Sequence, residues 1–176
     1  MKKRISLIVA LILLISLGYF MYKGVITNSF RYSTPEEAFQ KSSPQGAELV
    51  DILEDKDIAL LIYKKSNGVF SDTIIRKDQR GWPPISVVYH PQSDILSSCG
   101  FVYSWNIKNK YVVEVVSSIK KNSQPPIITD SLKSEFLLGV YESSNDEKLV
   151  YGFLVSEEKF PDDYKVIIDE EEIGLN

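Results

Sequence analysis

The chain has 176 residues, with 20 Lys and Arg, 24 Asp and Glu, one His and one Cys, enough for one domain of ordinary size or two very small ones. Its 44% hydrophobic and 25% charged content is that of a globular protein, which excludes a disordered, collagen-like or coiled-coil chain. A single His and a single Cys also exclude a disulfide framework and a His/Cys metal centre within one chain.

The amino-terminal segment stands apart from that average. Lys2, Lys3 and Arg4 precede an uncharged run from Ile5 to Tyr22, which Lys23 ends. As a helix those residues extend about 27 Å, close to the roughly 30 Å of a bilayer's hydrocarbon core. Eleven of the 18 are Ile, Leu, Val or Phe. The positive flank then places the amino terminus in the cytoplasm and everything after Lys23 outside. Residues 1–23 therefore read as a single transmembrane anchor contacting membrane lipid through residues 5–22. The competing reading is a cleaved signal peptide, with Ser16-Leu17-Gly18 as the small-x-small cleavage site. Tyr19, Phe20 and Tyr22 favour the anchor, because amphipathic rings settle at the outer interface. No Cys ends the run, so a lipoprotein attachment is excluded. Residues 24–176 hold 16 basic and 24 acidic residues, a net charge of −8. Such a domain lacks the positive footprint that nucleic acid requires.

Residues 24–33 read as a linker, and 34–176 as an extracytoplasmic β-rich domain. Thr34-Pro35-Glu36-Glu37 predicts a capping box, in which Thr34 accepts from the Glu37 amide and Glu37 reaches back to the Thr34 amide. The helix buries Ala38 and Phe39 and stops before Pro44. Strands follow at 57–63 and 69–75, joined through Ser66-Asn67-Gly68, where the Asn-Gly pair predicts a type I′ hairpin. A second hairpin joins 101–107 to 111–116 and places Phe101, Tyr103, Trp105 and Ile107 on one face. A third joins 136–141 to 149–155 through Ser143-Ser144-Asn145-Asp146, and a last strand covers 164–168. The expected fold class is α+β, mainly antiparallel, with about seven strands in three hairpins and one short helix behind a single N-terminal transmembrane helix. Residues 90–98 offer a possible subdivision, although portions this small are expected to share one core.

Four features are candidates for chemistry. His90 is the only imidazole, with Ser93, Asp94 and Cys99 near it in sequence; followed by Pro91 and without a G-x-S-x-G elbow, it reads as a loop residue. Cys99 beside Gly100 reads as a small buried hydrophobe, the alternative being a thiol that pairs with a second chain. The acidic stretch Asp169-Glu170-Glu171-Glu172, with Glu157-Glu158 and Asp162-Asp163, lacks EF-hand spacing and reads as a solvated tail. Trp82 and Trp105 are the candidates for an aromatic ligand face, with Trp82, in Gly-Trp-Pro-Pro, the more exposed.

No catalytic, cofactor-binding or metal-binding residue is assigned. The order of parts, a basic apolar start, the Ser33-Thr34-Pro35-Glu36-Glu37-Ala38 helix, the Asn67-Gly68 hairpin and then Gly81-Trp82, resembles small N-terminally anchored exported proteins of Bacillus-type Gram-positive bacteria. The resemblance implies a cell-membrane location and carries no family activity. The expected function is that of a membrane-anchored, non-catalytic binding module for a protein or cell-wall ligand. The alternatives are a hydrolase of wall or secreted material working through carboxylates, and an accessory subunit of a membrane complex. Two carboxylates in a deep pocket, one held protonated, would point to the hydrolase; an exposed apolar patch would point to the binding module.

Overall fold

The structure is a computed structural model, and it describes residues 12–16, 18, 19, 30–85, 101–142 and 147–175. Helix α1 spans Pro35–Ser42. The strands are β1 Glu48–Asp55, β2 Ile58–Lys64, β3 Phe70–Arg76, β4 Phe101–Ile107, β5 Lys110–Lys120, β6 Ile128–Asp130, β7 Leu137–Glu142, β8 Glu147–Ser156, β9 Lys165–Ile168 and β10 Glu171–Gly174. They form three antiparallel sheets, ordered β1-β2-β3, β4-β5-β8-β7 and β10-β9-β6.

The helix begins as its capping residues dictate. Thr34 Oγ1 accepts from the Glu37 amide at 3.1 Å, and Pro35 occupies the first turn, where a missing amide costs nothing. The return bond differs from expectation. Glu37 Oε2 accepts from the Ser33 amide at 3.0 Å and the Ser33 hydroxyl at 2.6 Å, so the reciprocal cap closes one residue before Thr34. The Ser43 amide donates to Phe39 O at the other end, and Pro44 follows.

Alternation along β2 explains the layering. Ile58, Leu60 and Ile62 face one side of the first sheet and Ala59, Leu61 and Tyr63 the other, and all six are fully buried. The first set packs against Val112, Val116, Leu149, Tyr151 and Phe153 of the second sheet. The other set packs under α1, against Ala38, Phe39, Trp82 and Ile85. The outer face of the second sheet, with Val102, Val113, Val115 and Val150, is covered in turn by Ile128, Val166 and Tyr164 of the third sheet and its loops. The domain is thus four layers: helix, sheet, sheet, sheet. Each buried aliphatic contributes about 1.5–3 kcal/mol by leaving water.

The chain enters this stack at the helix layer. Tyr32 and Trp82 exchange two backbone hydrogen bonds, of 2.8 and 2.9 Å, and Arg31 Nε donates to Asp78 at 2.8 Å. Gly81 must be glycine here. Its φ is +125°, and a Cβ would stand 2.6 Å from Tyr32 O.

The mainly antiparallel reading and the single short helix of the domain agree with this architecture, and the strand count does not. β1, β6 and β10 go beyond the strands expected. In β1 a bulge between Leu49 and Asp51 advances the pattern by one residue. Leu49 and Ile52 therefore face the helix layer while Val50 and Leu53 face the second sheet. That spacing of three, with four acids among eight residues, breaks the period-two signal of a strand. β6 is only three residues long, behind Pro125-Pro126. β10 lies inside the acidic stretch: Asp169 and Glu170 take φ of 48° and 74° and fold β10 back onto β9, so these residues are a hairpin and not a tail.

The hairpin turns also redistribute. Gly68 has φ +84° but Asn67 does not share it. The Gly68 amide donates to Lys65 O, and Lys65 and Val69 pair, which makes a type I turn with a glycine bulge in place of the expected type I′ turn. Two-residue turns with both φ positive are instead at Lys108-Asn109, at 50° and 67°, and at Asp169-Glu170.

Residues 12–16 are helical, and Ile12, Leu13, Leu14 and Ile15 are each about 60% exposed. Among the described residues no helix is long and apolar enough to cross a membrane. Most of residues 5–22, and residues 90–98, lie outside the described residues.

Candidate functional site

His90, Pro91, Ser93, Asp94, Cys99 and Gly100 lie outside the described residues. Trp82 is a correction. It is 1% exposed, wedged between α1 and the first sheet with Lys77 Nζ 5.8 Å above its ring, because Gly81 lets the chain fold the indole inward. Trp105 is the tryptophan that borders open space, a groove of about 360 Å³ shared with Asn106, Tyr111, Lys159, Phe160 and Leu175. Tyr103 stacks on it at 6.0 Å and 22°.

The acidic stretch is engaged in structure. Asp169 Oδ1 accepts from the Ile127 amide at 2.9 Å, Lys165 and Glu172 pair across the β9–β10 hairpin at 2.5 Å, and Lys159 pairs with Asp162 at 3.1 Å. Glu157 pairs with Lys110, which also reaches Asp57 at 3.6 Å. Asp57 in turn accepts from Arg76 at 2.8 Å. Arg76 also donates to the carbonyls of Ile107 and Lys108, which fixes the end of β3 against the β4–β5 turn. Among the described residues no three His, Cys, Asp or Glu side chains converge as a metal site.

Two acids that sequence reasoning passed over meet in the core. Register places Asp72 of β3 on the same face as Ile74, and Glu114 of β5 on the same face as Val112 and Val116. Both faces look into the space between the first two sheets, and each acid is 1% exposed. Burial, then the Asp72 charge and a hydrogen bond with Asp72, hold the Glu114 carboxyl well above its usual range, against an opposing Trp105 hydrogen bond. The Tyr151 hydroxyl, buried nearby, makes no hydrogen bond among the described residues, and burial, Asp72, Glu114, Asp51 and Tyr141 push its ionisation up. Tyr103 is pushed the same way by burial, Asp72 and Glu114. The signal was present in the sequence: Glu114 interrupts Val112-Val113-Glu114-Val115-Val116 in phase with its inward-facing members.

The third feature is β7, an edge of the four-stranded sheet. Leu137, Leu138 and Val140 are 40%, 49% and 48% exposed, and Leu138 and Val140 share one face. On the opposite face Gly139 sits so close beneath β1 that a Cβ would lie 2.9 Å from Asp51 Oδ2. Sheet edges are ordinarily defended by bulges, lysines, prolines or inward charges. β1 carries a bulge and four acids, and β10 carries two glutamates. β7 pairs in unbroken register with β8, and its only charge is the terminal Glu142, which Lys121 neutralises at 3.1 Å. No family description, curated protein or solved structure matches this chain.

Proposed function

We propose that the protein is a non-catalytic binding module, held at the outer face of the cell membrane by residues 5–22, that takes an extended peptide segment of another protein onto β7. The observation that carries this reading is the undefended edge, six residues long with apolar side chains exposed on both faces. An added strand would gain main-chain hydrogen bonds from the outward-facing groups of β7, and side-chain contacts with Leu138 and Val140. Charge favours a foreign segment over a second copy, because two domains of net charge −8 repel. A segment alternating apolar and basic residues fits best. The tether is supported by the basic flank of the apolar run, and by Ile12, Leu13, Leu14 and Ile15, exposed on successive sides of their helical turn.

The hydrolase reading draws on the raised Glu114 carboxyl, but a substrate has to touch both carboxyls, and 1% exposure denies it that contact. The test has two arms. With the full-length chain in cells, the domain should be cut by protease added to protoplasts while the amino-terminal stub stays with carbonate-washed membranes. Purified full-length protein should bind alternating apolar-basic peptides on an array, and Leu138→Lys with Val140→Lys should abolish that binding without altering the far-ultraviolet spectrum. A protected or freely soluble chain refutes the tether, and undiminished binding by the lysine variant refutes the edge.

A further inference from the structure

We propose that the corner where the chain enters the domain is a docking surface for anionic lipid headgroups, which sets how the tethered domain stands on the bilayer; this rests on the tether proposed above. The argument starts from register. The β1–β2 turn and the end of β3 meet at one end of the first sheet, where Asp55 pairs with Ile58 and Ile58 with Arg76. The β4–β5 turn and the end of β8 meet at one end of the second sheet, where Ile107 pairs with Lys110 and Tyr111 with Ser156. Arg76 joins these two ends by donating to the carbonyls of Ile107 and Lys108. In the turn after β3, Asp78 accepts from the Arg80 amide and from Arg31 of the entering chain. A concavity of about 430 Å³ runs between these parts, lined by Asp57, Arg76, Lys77, Asp78, Gln79 and Lys108.

Charge separates this corner from the rest of the domain. The entering chain and the end of β3 bring Arg31, Arg76, Lys77 and Arg80, and the two turns bring Lys56, Lys108 and Lys110. These seven bases stand against four acids, Asp55, Asp57, Asp78 and Glu157, whereas the other nine bases of residues 24–176 stand against 20 acids. The next acids along the entering chain, Glu36 and Glu37, belong to α1, where Glu37 is held by Ser33. An anionic bilayer repels a domain of net charge −8, except through a face of opposite local charge that comes within a Debye length, about 8 Å at physiological salt. Lys56, Lys77, Arg80 and Lys108 are exposed on that face. Chain length brings it to the lipid. The six residues between Lys23 and Phe30 span at most about 25 Å, so the tether holds this corner closest to the bilayer, with Phe30 exposed beside Arg31. With this end down, the strands of the first two sheets run away from the bilayer, and β7 stays clear of it as a lateral edge.

The experiment reconstitutes the full-length chain into phosphatidylcholine vesicles, with or without phosphatidylglycerol, and labels its lysines with a membrane-impermeant amine reagent read residue by residue. Lys77 and Lys108 should react about fivefold more slowly on the anionic vesicles and recover at high salt. Lys64 and Lys120, at the opposite ends of the same two sheets, should react alike on both. In Lys77→Gln with Lys108→Gln, both at exposed positions, Lys56 should lose the protection that anionic lipid gives it in the wild type. A chain that floats with both kinds of vesicle and labels equally at Lys77 and Lys108 overturns the docking surface and leaves the tether standing. A chain that floats only with anionic vesicles, and leaves them at high salt, overturns the tether and supports the surface. A chain that floats with neither overturns both. Protection by soluble polyphosphate on neutral vesicles, with none from phosphatidylglycerol, assigns the corner to a free polyanion and overturns the lipid.

Discussion

Removing the Asp130 side chain is expected to cost about 2–4 kcal/mol of folding stability, a magnitude built up bond by bond. Asp130 is 2% exposed at the end of β6. Its Oδ1 accepts from the Leu132 amide at 2.9 Å and the Ser134 amide at 2.7 Å, and its Oδ2 accepts from the Tyr164 hydroxyl at 2.7 Å. One carboxylate thereby holds the loop leading to β7 and ties the end of β6 to the start of β9 within the third sheet, through Tyr164, whose ring packs against the second sheet. In Asp130→Ala the buried Tyr164 hydroxyl loses its acceptor, which costs about 1–3 kcal/mol, while the two loop amides turn to water and lose about 0.5 kcal/mol each. Asp130→Asn keeps an acceptor and should cost about 1 kcal/mol. The pair Asp130→Ala and Tyr164→Phe should be less than additive, because each single change already breaks the same bond.

The pH dependence fixes the charge state. Burial raises the Asp130 carboxyl, but its hydrogen bonds with Ser134, Tyr164 and Leu132 outweigh that, so the folded value lies below the ordinary 3.8. Its stabilisation is fully present above that ordinary value and is lost as pH falls through the lower folded one. Urea unfolding of the full-length chain, of Asp130→Ala, Asp130→Asn and Tyr164→Phe, and of the double variant, repeated in acid, measures every term. A cost under about 1 kcal/mol for Asp130→Ala, or strict additivity with Tyr164→Phe, would refute the reasoning.

Three further outcomes follow from the layers. Phe39→Ala, which empties the contact between α1 and Tyr63 at a ring distance of 5.4 Å, should cost about 3–5 kcal/mol in the same unfolding assay. Gly81→Ala should separate Tyr32 from Trp82, since its Cβ has no room, and should appear as reddened Trp82 emission and a lower melting temperature. Leu138→Lys with Val140→Lys should leave stability within about 0.5 kcal/mol, because both side chains are already half in water, so lost peptide binding in that variant reports the edge itself.

The parts of the domain visible in the sequence are those whose side chains obey a single period. β2, β5 and β8 carry compact apolar runs, and the Thr34-Pro35 cap marks α1 within a residue. Where geometry departs from a period, the signal fades: the β1 bulge converts alternation into a spacing of three, and the Asp169-Glu170 turn hides a hairpin inside a charge run. Trp82 shows a different limit, because an indole beside two prolines reads as a surface turn until Gly81 is seen to fold it inward. The Asp72–Glu114 contact was beyond reach for a third reason. Each acid is visible alone, but which strands face each other across the core is a property of sheet stacking, and no local pattern encodes it.

Hydrogen exchange along the full-length chain, with and without a bound alternating apolar-basic peptide, tests the binding edge most directly. The account predicts new protection at alternate amides of β7, between Leu137 and Glu142, with the amides of β4 and the Trp105 groove unchanged. Protection centred on Ser104 to Asn106, with β7 exchanging as fast as before, would contradict it.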